Sequence, residues 1–318
     1  MFDFHWQVPE NGYEWVRAKL YKPKHVTEEE EYLVEIGQTG RFDPRHPVAY
    51  RTDEPLRHSA LFKVFVEVNP TPDGILVFAN KYGTLGGGAR KAVVTAEFPY
   101  HPANGQPFWF WRREILAMRH TVAIWEAIKR GDSGFLSKHI QWSTPRGAGQ
   151  MSGFTFATPT GWKLTLTSLR SMPEIDAMLA PGDPILPARV GIHERVNEKL
   201  RISSLVPKLA WGRIHGKLRE RIHFVVGDLI SALWLQLSRA IEGDLEYSQC
   251  DECAGWYEVS GDRRADARFC SDPCRFRAYR KRQKEAMQLH GARVSPKDIA
   301  KQLGSDVKTV KGWIAKGK

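Results

Sequence analysis

The sequence predicts an α+β protein in three parts. Residues 1–244 read as a helix-rich N-terminal domain with a β-insertion, 245–290 as a four-cysteine module with a basic helix, and 291–318 as a small two-helix tail. Three observations lead there. Apolar residues recur at three- and four-residue spacing in the front part. All four cysteines fall between residues 250 and 274. Of the net charge of +11, the last 44 residues hold +10, since 13 Lys and Arg there face only Glu285, Asp298 and Asp306.

"TEEEEYLVEI" reads as a charged helix start, and "GQTGRFDPRHP" as a loop rich in Gly and Pro. "SALFKVFVEV" fits a helix or a buried strand. "TPDGILVFANKYG" is a capped helix, with Thr71 as N-cap, Pro72 at the first helical position and Gly83 at its end. "TLGGGAR" is a loop; without a following Gly-Lys-Ser/Thr it lacks what a phosphate cradle needs. Ile115, Met118, Val122, Trp125 and Ile128 mark a long helix through "PFWFWRREILAMRHTVAIWEAIKRGD". "GFTFATPTGWKLTLTSL" alternates around a Pro-Thr-Gly turn and reads as a hairpin, the β-insertion near 150–170. Residues 181–212 fit no single pattern, and "VVGDLISALWLQLSRAIEGD" reads as a buried helix ending near Gly243.

With 42% hydrophobic and 26% charged residues the chain can bury a core and is not globally disordered. "MFDFHWQVPE" has neither the basic start nor the apolar run of a signal peptide. The most apolar stretch, "IHFVVGDLISALWLQL", is interrupted by His223, Asp228 and Gln236 and is shorter than the roughly 20 residues that cross a bilayer. A soluble, cytoplasmic protein is expected, with no membrane partner. The charge asymmetry points the tail at a polyanion, most simply nucleic acid.

Cys250 and Cys253 have two residues between them, Cys270 and Cys274 have three, and sixteen residues separate the pairs. Two short-spaced pairs can present four thiolates tetrahedrally to one zinc ion: one pair from a turn, the other from a helix start. Two disulfides would not persist in a reducing compartment. A thioredoxin-like Cys-x-x-Cys would leave the second pair idle, and iron–sulfur clusters use other spacings. With all four positions filled by protein, the ion would fold the segment and perform no catalysis.

"CDECAGWYEVS" and "RFCSDPCRFRAYRKRQ" together resemble the CGNR-type zinc finger, a treble-clef-like module of bacterial regulators. The shared features are Cys250, Cys253, Trp256, Phe269-Cys270-Ser271, Cys274 and the basic stretch Arg277 to Arg280, over roughly residues 245–285. The signature Cys-Gly-Asn-Arg is replaced here by Cys274-Arg275-Phe276-Arg277. In that family a stress-associated domain, ABATE, precedes the finger. The resemblance implies a nucleic-acid-binding transcription regulator.

In "VSPKDIAKQLGSDVKTVKGWIAKGK", Ser295 suits an N-cap, Pro296 the first helical position, and Asp298 the positive helix end. Ile299, Ala300 and Leu303 form one apolar face; Gly304 allows a reversal; Ser305 or Asp306 caps a second helix striped by Val307, Val310, Trp313 and Ile314. Two short helices about a glycine turn make a helix-turn-helix candidate, and the order Ala300, Gly304, Val310 resembles the skeleton of DNA-binding examples. A third helix, starting at Cys274, would complete the core through Phe276, Tyr279, Ala286 and Leu289.

Outward positions Lys308, Thr309 and Lys311 would face bases, and Arg275, Arg277, Arg280, Lys281, Arg282 and Lys284 would grip phosphates. DNA is the expected partner. The alternatives are RNA, with Phe269, Phe276 and Tyr279 stacking on unpaired bases, an enzyme targeted to nucleic acid by its tail, and a protein-interaction adaptor that uses zinc for folding alone. A helical hairpin for dimerisation would need no such outward polar set. The front domain is expected to sense a ligand, bind a protein or form a homodimer. His58, His101, His120, His139, Glu114 and Asp132 have no spacing that specifies a reaction, so no catalytic role is assigned.

Overall fold

The structure, a computed structural model, describes residues 2–3, 6–20, 29–36, 49–53, 58, 60–86, 91–94, 103–143, 153–166, 173–203, 205–214, 217–259 and 267–316. The chain separates into two units, Met1–Asp244 and Leu245–Lys318.

The first unit opens with strands β1 (Phe2–Asp3), β2 (Trp6–Pro9), β3 (Tyr13–Leu20), β4 (Glu30–Glu35) and β5 (Tyr50–Asp53), and β6 (Lys91–Val94) and β7 (Ala103–Pro107) follow later. β3, β4, β7 and β6 close into a small barrel in that order. Ala18, Tyr32, Val34, Val93 and Ala103 form its core. β4 overturns the helix expected at "TEEEEYLVEI". Tyr32, Leu33 and Val34 are all buried, so the strand is covered on both faces and shows no alternation. Its pairing with β3 and β7 outweighs the helix preference of the glutamates.

The helical expectations fare better. α1 (Leu61–Glu67) resolves the helix-or-strand ambiguity as helix. α2 (Pro72–Tyr82) starts at Thr71, whose hydroxyl accepts from the Gly74 amide at 3.3 Å, and stops at Gly83. α3 (Phe108–Arg130) buries the whole predicted stripe and ends at Gly131 in the left-handed region. Phe65, Phe78 and Trp111 stack edge to face between α1, α2 and α3, with centroids 5.2 and 6.2 Å apart.

α4 (Ser133–Leu136) leads through a 3-10 turn to the meander β8 (Ile140–Ser143), β9 (Gly153–Ala157) and β10 (Lys163–Leu166). β9 and β10 are the predicted hairpin. α5 (Pro173–Met178) and α6 (Ile185–Arg201) follow. A Cβ on Gly191 would lie 2.5–2.8 Å from the Phe156 ring, so glycine is what lets β9 seat on α6.

Next come β11 (Leu205–Ile214) and β12 (Lys217–Val226), a ten-residue antiparallel pair that β1 joins in parallel. The helix expected from Val225 is corrected. Val225 and Val226 end β12, and α7 (Leu229–Glu242) starts only after Asp228, whose carboxylate accepts from the Ser231 amide at 2.9 Å. Strand structure is therefore not one insertion near 150–170. It runs through the unit, hidden from sequence because partners such as Lys19 and Val94 lie far apart in the chain. Among the described residues no helix is long and apolar enough to cross a membrane.

The second unit holds the hairpin β13 (Tyr247–Gln249) and β14 (Trp256–Glu258), then α8 (Asp272–Gly291), α9 (Pro296–Gln302) and α10 (Val307–Lys316). Ser295 caps α9 as predicted, accepting from the Asp298 amide at 3.2 Å. Gly304, at φ +56°, makes the reversal, and Asp306 caps α10 by accepting from the Thr309 amide at 2.8 Å. Ala286 of α8, Ile299 and Ala300 of α9, and Val310 and Trp313 of α10 form one buried cluster, with Leu289 and Leu303 against it. Phe276, expected in this core, is instead 54% exposed, and Val307 is exposed as well.

Candidate metal centre

The hairpin places the first cysteine pair. Cys250 follows β13, and the chain turns back through Cys253 to β14. Two bonds hold the turn: the Cys250 amide donates to the Gly255 carbonyl at 3.0 Å, and the Ala254 amide to the Cys250 carbonyl at 2.8 Å. Ala254 takes φ +55°, an unusual conformation for alanine that the tight turn imposes. The second pair straddles a helix start. Cys270 precedes the N-cap Ser271, and Cys274 lies in the first turn of α8. Cys250, Tyr257 and Cys274 are buried together, with Val259, Ala267 and Phe269 packed around them.

All four sulfurs lie within 4.8 Å of one another. Cys253 and Cys270 Sγ are 3.7 Å apart, and Cys270 and Cys274 Sγ 3.5 Å. Four sulfurs about 2.3 Å from one ion would sit at tetrahedral spacings of about 3.8 Å. A disulfide needs about 2.05 Å, and all four cysteines are free. The cluster is arranged to hold a metal ion, and its sulfur-only donor set is compatible with zinc.

Electrostatics agree. Burial pushes the Cys250 thiol up, yet the amides of Cys270, Cys253 and Glu252 outweigh it and draw it down to about 6. Cys270 is pushed up to about 12, by burial first; the Ser271 hydroxyl opposes this and the neighbouring sulfurs add to it. One thiolate forms readily, and the next is resisted by burial first and by its neighbours second. A divalent cation removes that resistance.

Positive charge also approaches from α8. Arg277 Nη2 donates to Cys274 Sγ at 2.8 Å. Its Nε lies 3.7 Å from Glu252, and Lys281 Nζ contacts the same carboxylate at 2.8 Å. Glu252, only 8% exposed at its side chain, thus ties the cysteine turn to the helix. No sequence pattern marks this clasp, because an acid 29 residues before its lysine has no periodic signature.

The other predicted contact residues divide. Arg275 pairs with Asp272 at 3.1 Å and lies 5.5 Å from the Phe276 ring. Arg282 is half-buried along its own helix. Arg280, Lys284, Lys308 and Lys311 are exposed and form no ion pair among the described residues. Thr309 is half-buried and donates its hydroxyl to Asp306, the cap of α10, at 2.6 Å. Tyr279, though 42% exposed, accepts from Trp313 Nε1 at 2.6 Å and meets its ring edge-on at 5.4 Å.

In the first unit, Asp132 caps α4 and His58 meets the Tyr82 ring edge-on. His139 bonds the Ala157 carbonyl, and burial lowers the pKa of His120. His101 lies outside the described residues. Glu114, by contrast, lines a cleft, against a lysine that sequence did not single out, Lys199. No protein-family model, curated protein or solved structure matches this chain.

Proposed function

We propose that the protein is a zinc-dependent DNA-binding transcription regulator of the cytoplasm. Its second unit would be a treble-clef-like finger of the CGNR kind fused to a helix-turn-helix. Cys250, Cys253, Cys270 and Cys274 hold the ion, which when bound crosslinks the hairpin to the start of α8. α8 then carries α9 and α10 through the cluster at Ala286 and Trp313. α10 enters the major groove, presenting Lys308 and Lys311, while Arg280 and Lys284 meet phosphates. A homodimer would match paired half-sites about one helical turn apart.

The observation that carries this proposal is the shared helix. α8 is both the ligand-bearing helix of the metal cluster and the third helix of the tail core. The exposed Phe276 beside Arg275 favours unpaired RNA as the second partner to test. Selection from random DNA and RNA pools, using the full chain and a chain ending at residue 290, tests the proposal. Enrichment of duplex DNA motifs by the full chain alone is expected. Absence of any nucleic-acid binding at low salt would reduce the module to a protein-interaction adaptor.

A further inference from the structure

A cleft of about 310 Å³ opens in the first unit, within the size range of small-molecule sites. Its lining combines two chemistries. Phe110, Ile202, Ile230 and Trp234 supply apolar wall. Arg113, Glu114 and Lys199 supply charge.

The charged wall is costly as a structural device. Lys199 Nζ contacts both Glu114 oxygens, at 2.8 and 2.7 Å. Glu114 is 2% exposed and Lys199 9%. Desolvating two such charges is repaid only by excellent geometry, and an apolar pair of similar volume is often more stable. Here the pair lines a cleft, where a ligand can use it.

The lining sets two cations, Arg113 and Lys199, against two acids, Glu114 and Asp228. Glu114 Oε1 also receives Arg113 Nε and Nη2 at 3.3 Å, so one carboxylate serves two cations. Asp228, the other acid of the lining, directs one oxygen to the Ser231 amide at the start of α7. Two of the three Lys199 ammonium protons can serve the two Glu114 oxygens, which leaves a third. Arg113 is half exposed and stacks over Trp109 and Phe110, at 5.1 and 5.2 Å, with its remaining N–H groups open to a ligand. Trp234 is 1% exposed, and its indole N–H has no acceptor among the described residues.

We propose that this cleft binds a small organic carboxylate with an aromatic or branched apolar body. The carboxylate lies between Arg113 and Lys199, and the body packs against Phe110 and Trp234. Planar guanidinium and carboxylate match as a two-point pair, which selects an acid over its neutral isostere. The site is independent of the DNA-binding proposal.

Titration of the full chain with phenylacetate, indole-3-acetate and 3-methylbutanoate tests it, read by saturation-transfer NMR and tryptophan fluorescence. At least one acid should bind saturably, about tenfold more tightly than its primary amide. Arg113→Gln should weaken that acid about tenfold and the amide less than about twofold. Ile230→Trp, which fills the cleft and leaves the charges in place, should abolish both. Lys199→Met leaves buried Glu114 with Arg113 alone and costs stability, so the other two variants decide. Equal binding of acids and amides overturns the proposal. So does affinity unmoved by Arg113→Gln and Ile230→Trp, or no binding of any acid at about 10 mM.

Discussion

The two units solve the same problem with different means. The first buries a thick aromatic core, with Phe62, Phe65, Trp111 and Trp234 almost wholly enclosed. The second has two thin clusters: two cysteines with Tyr257, and Ala286 with four residues of the last two helices. Domains with so little apolar interior need staples, and the four sulfurs offer one. The first unit should therefore be indifferent to metal, and the second should depend on it.

Stripping the metal breaks this contrast most directly. Chelation, or Cys250→Ala with Cys274→Ala, should remove an apparent binding energy on the order of 10 kcal/mol from the second unit. NMR signals of the hairpin and of the α8 start should collapse while those of α3 and α7 persist. If both units melt together, or neither responds, the contrast is wrong.

Trp313→Ala attacks the other thin cluster. Loss of a buried indole that also donates to Tyr279 should cost about 3–5 kcal/mol, confined to the last three helices. Binding of cobalt as a spectroscopic probe should survive, since no sulfur is touched. Loss of both would mean the two clusters fold as one.

Charge changes sharpen the picture further. If α8 grips phosphates as proposed, Arg280→Ala with Lys284→Ala should lower DNA affinity and reduce the salt slope by about one for each phosphate no longer neutralised. Glu252→Gln should do the opposite more weakly, raising the slope as Lys281 is released, at a small cost in metal affinity. Fluorescence anisotropy across a salt series reads both.

The smallest effect belongs to Asp306. Hydrogen bonds from Thr309 hold its carboxyl below the ordinary carboxylate range. The cap is therefore present above the unfolded pKa and is lost as pH falls through the lowered folded value. Asp306→Ala should destabilise the tail less than Trp313→Ala does and flatten that acid dependence, measured by thermal melts between about pH 2 and 6.

What was legible in the sequence follows from range. The caps at Thr71, Ser295 and Asp306 and the stripe of α3 are local signals, and each is found where local chemistry places it. The cysteine cluster was legible because metal geometry forces short spacing within each pair. β4 was not, since its run of glutamates speaks for a helix and only partners on other strands decide otherwise. The barrel, the Glu252 clasp and the Glu114–Lys199 pair join residues many turns of chain apart, beyond the reach of periodicity. Thr309, read from the sequence as an outward base contact, is half-buried and donates its hydroxyl to Asp306, a pairing that polarity alone does not reveal.

One consequence follows from Cys274 and Tyr279 sharing a single uninterrupted helix. Tyr279 lies five positions after Cys274, about 7.5 Å of rise, and no hinge intervenes. The angle between the sulfur and the phenol is thus counted in residues. Inserting one residue there swings Tyr279 about 100° away from Trp313, whereas inserting four returns it to within about 40°. Cysteine cluster and final helix are kept in phase by counting, as teeth on one shaft.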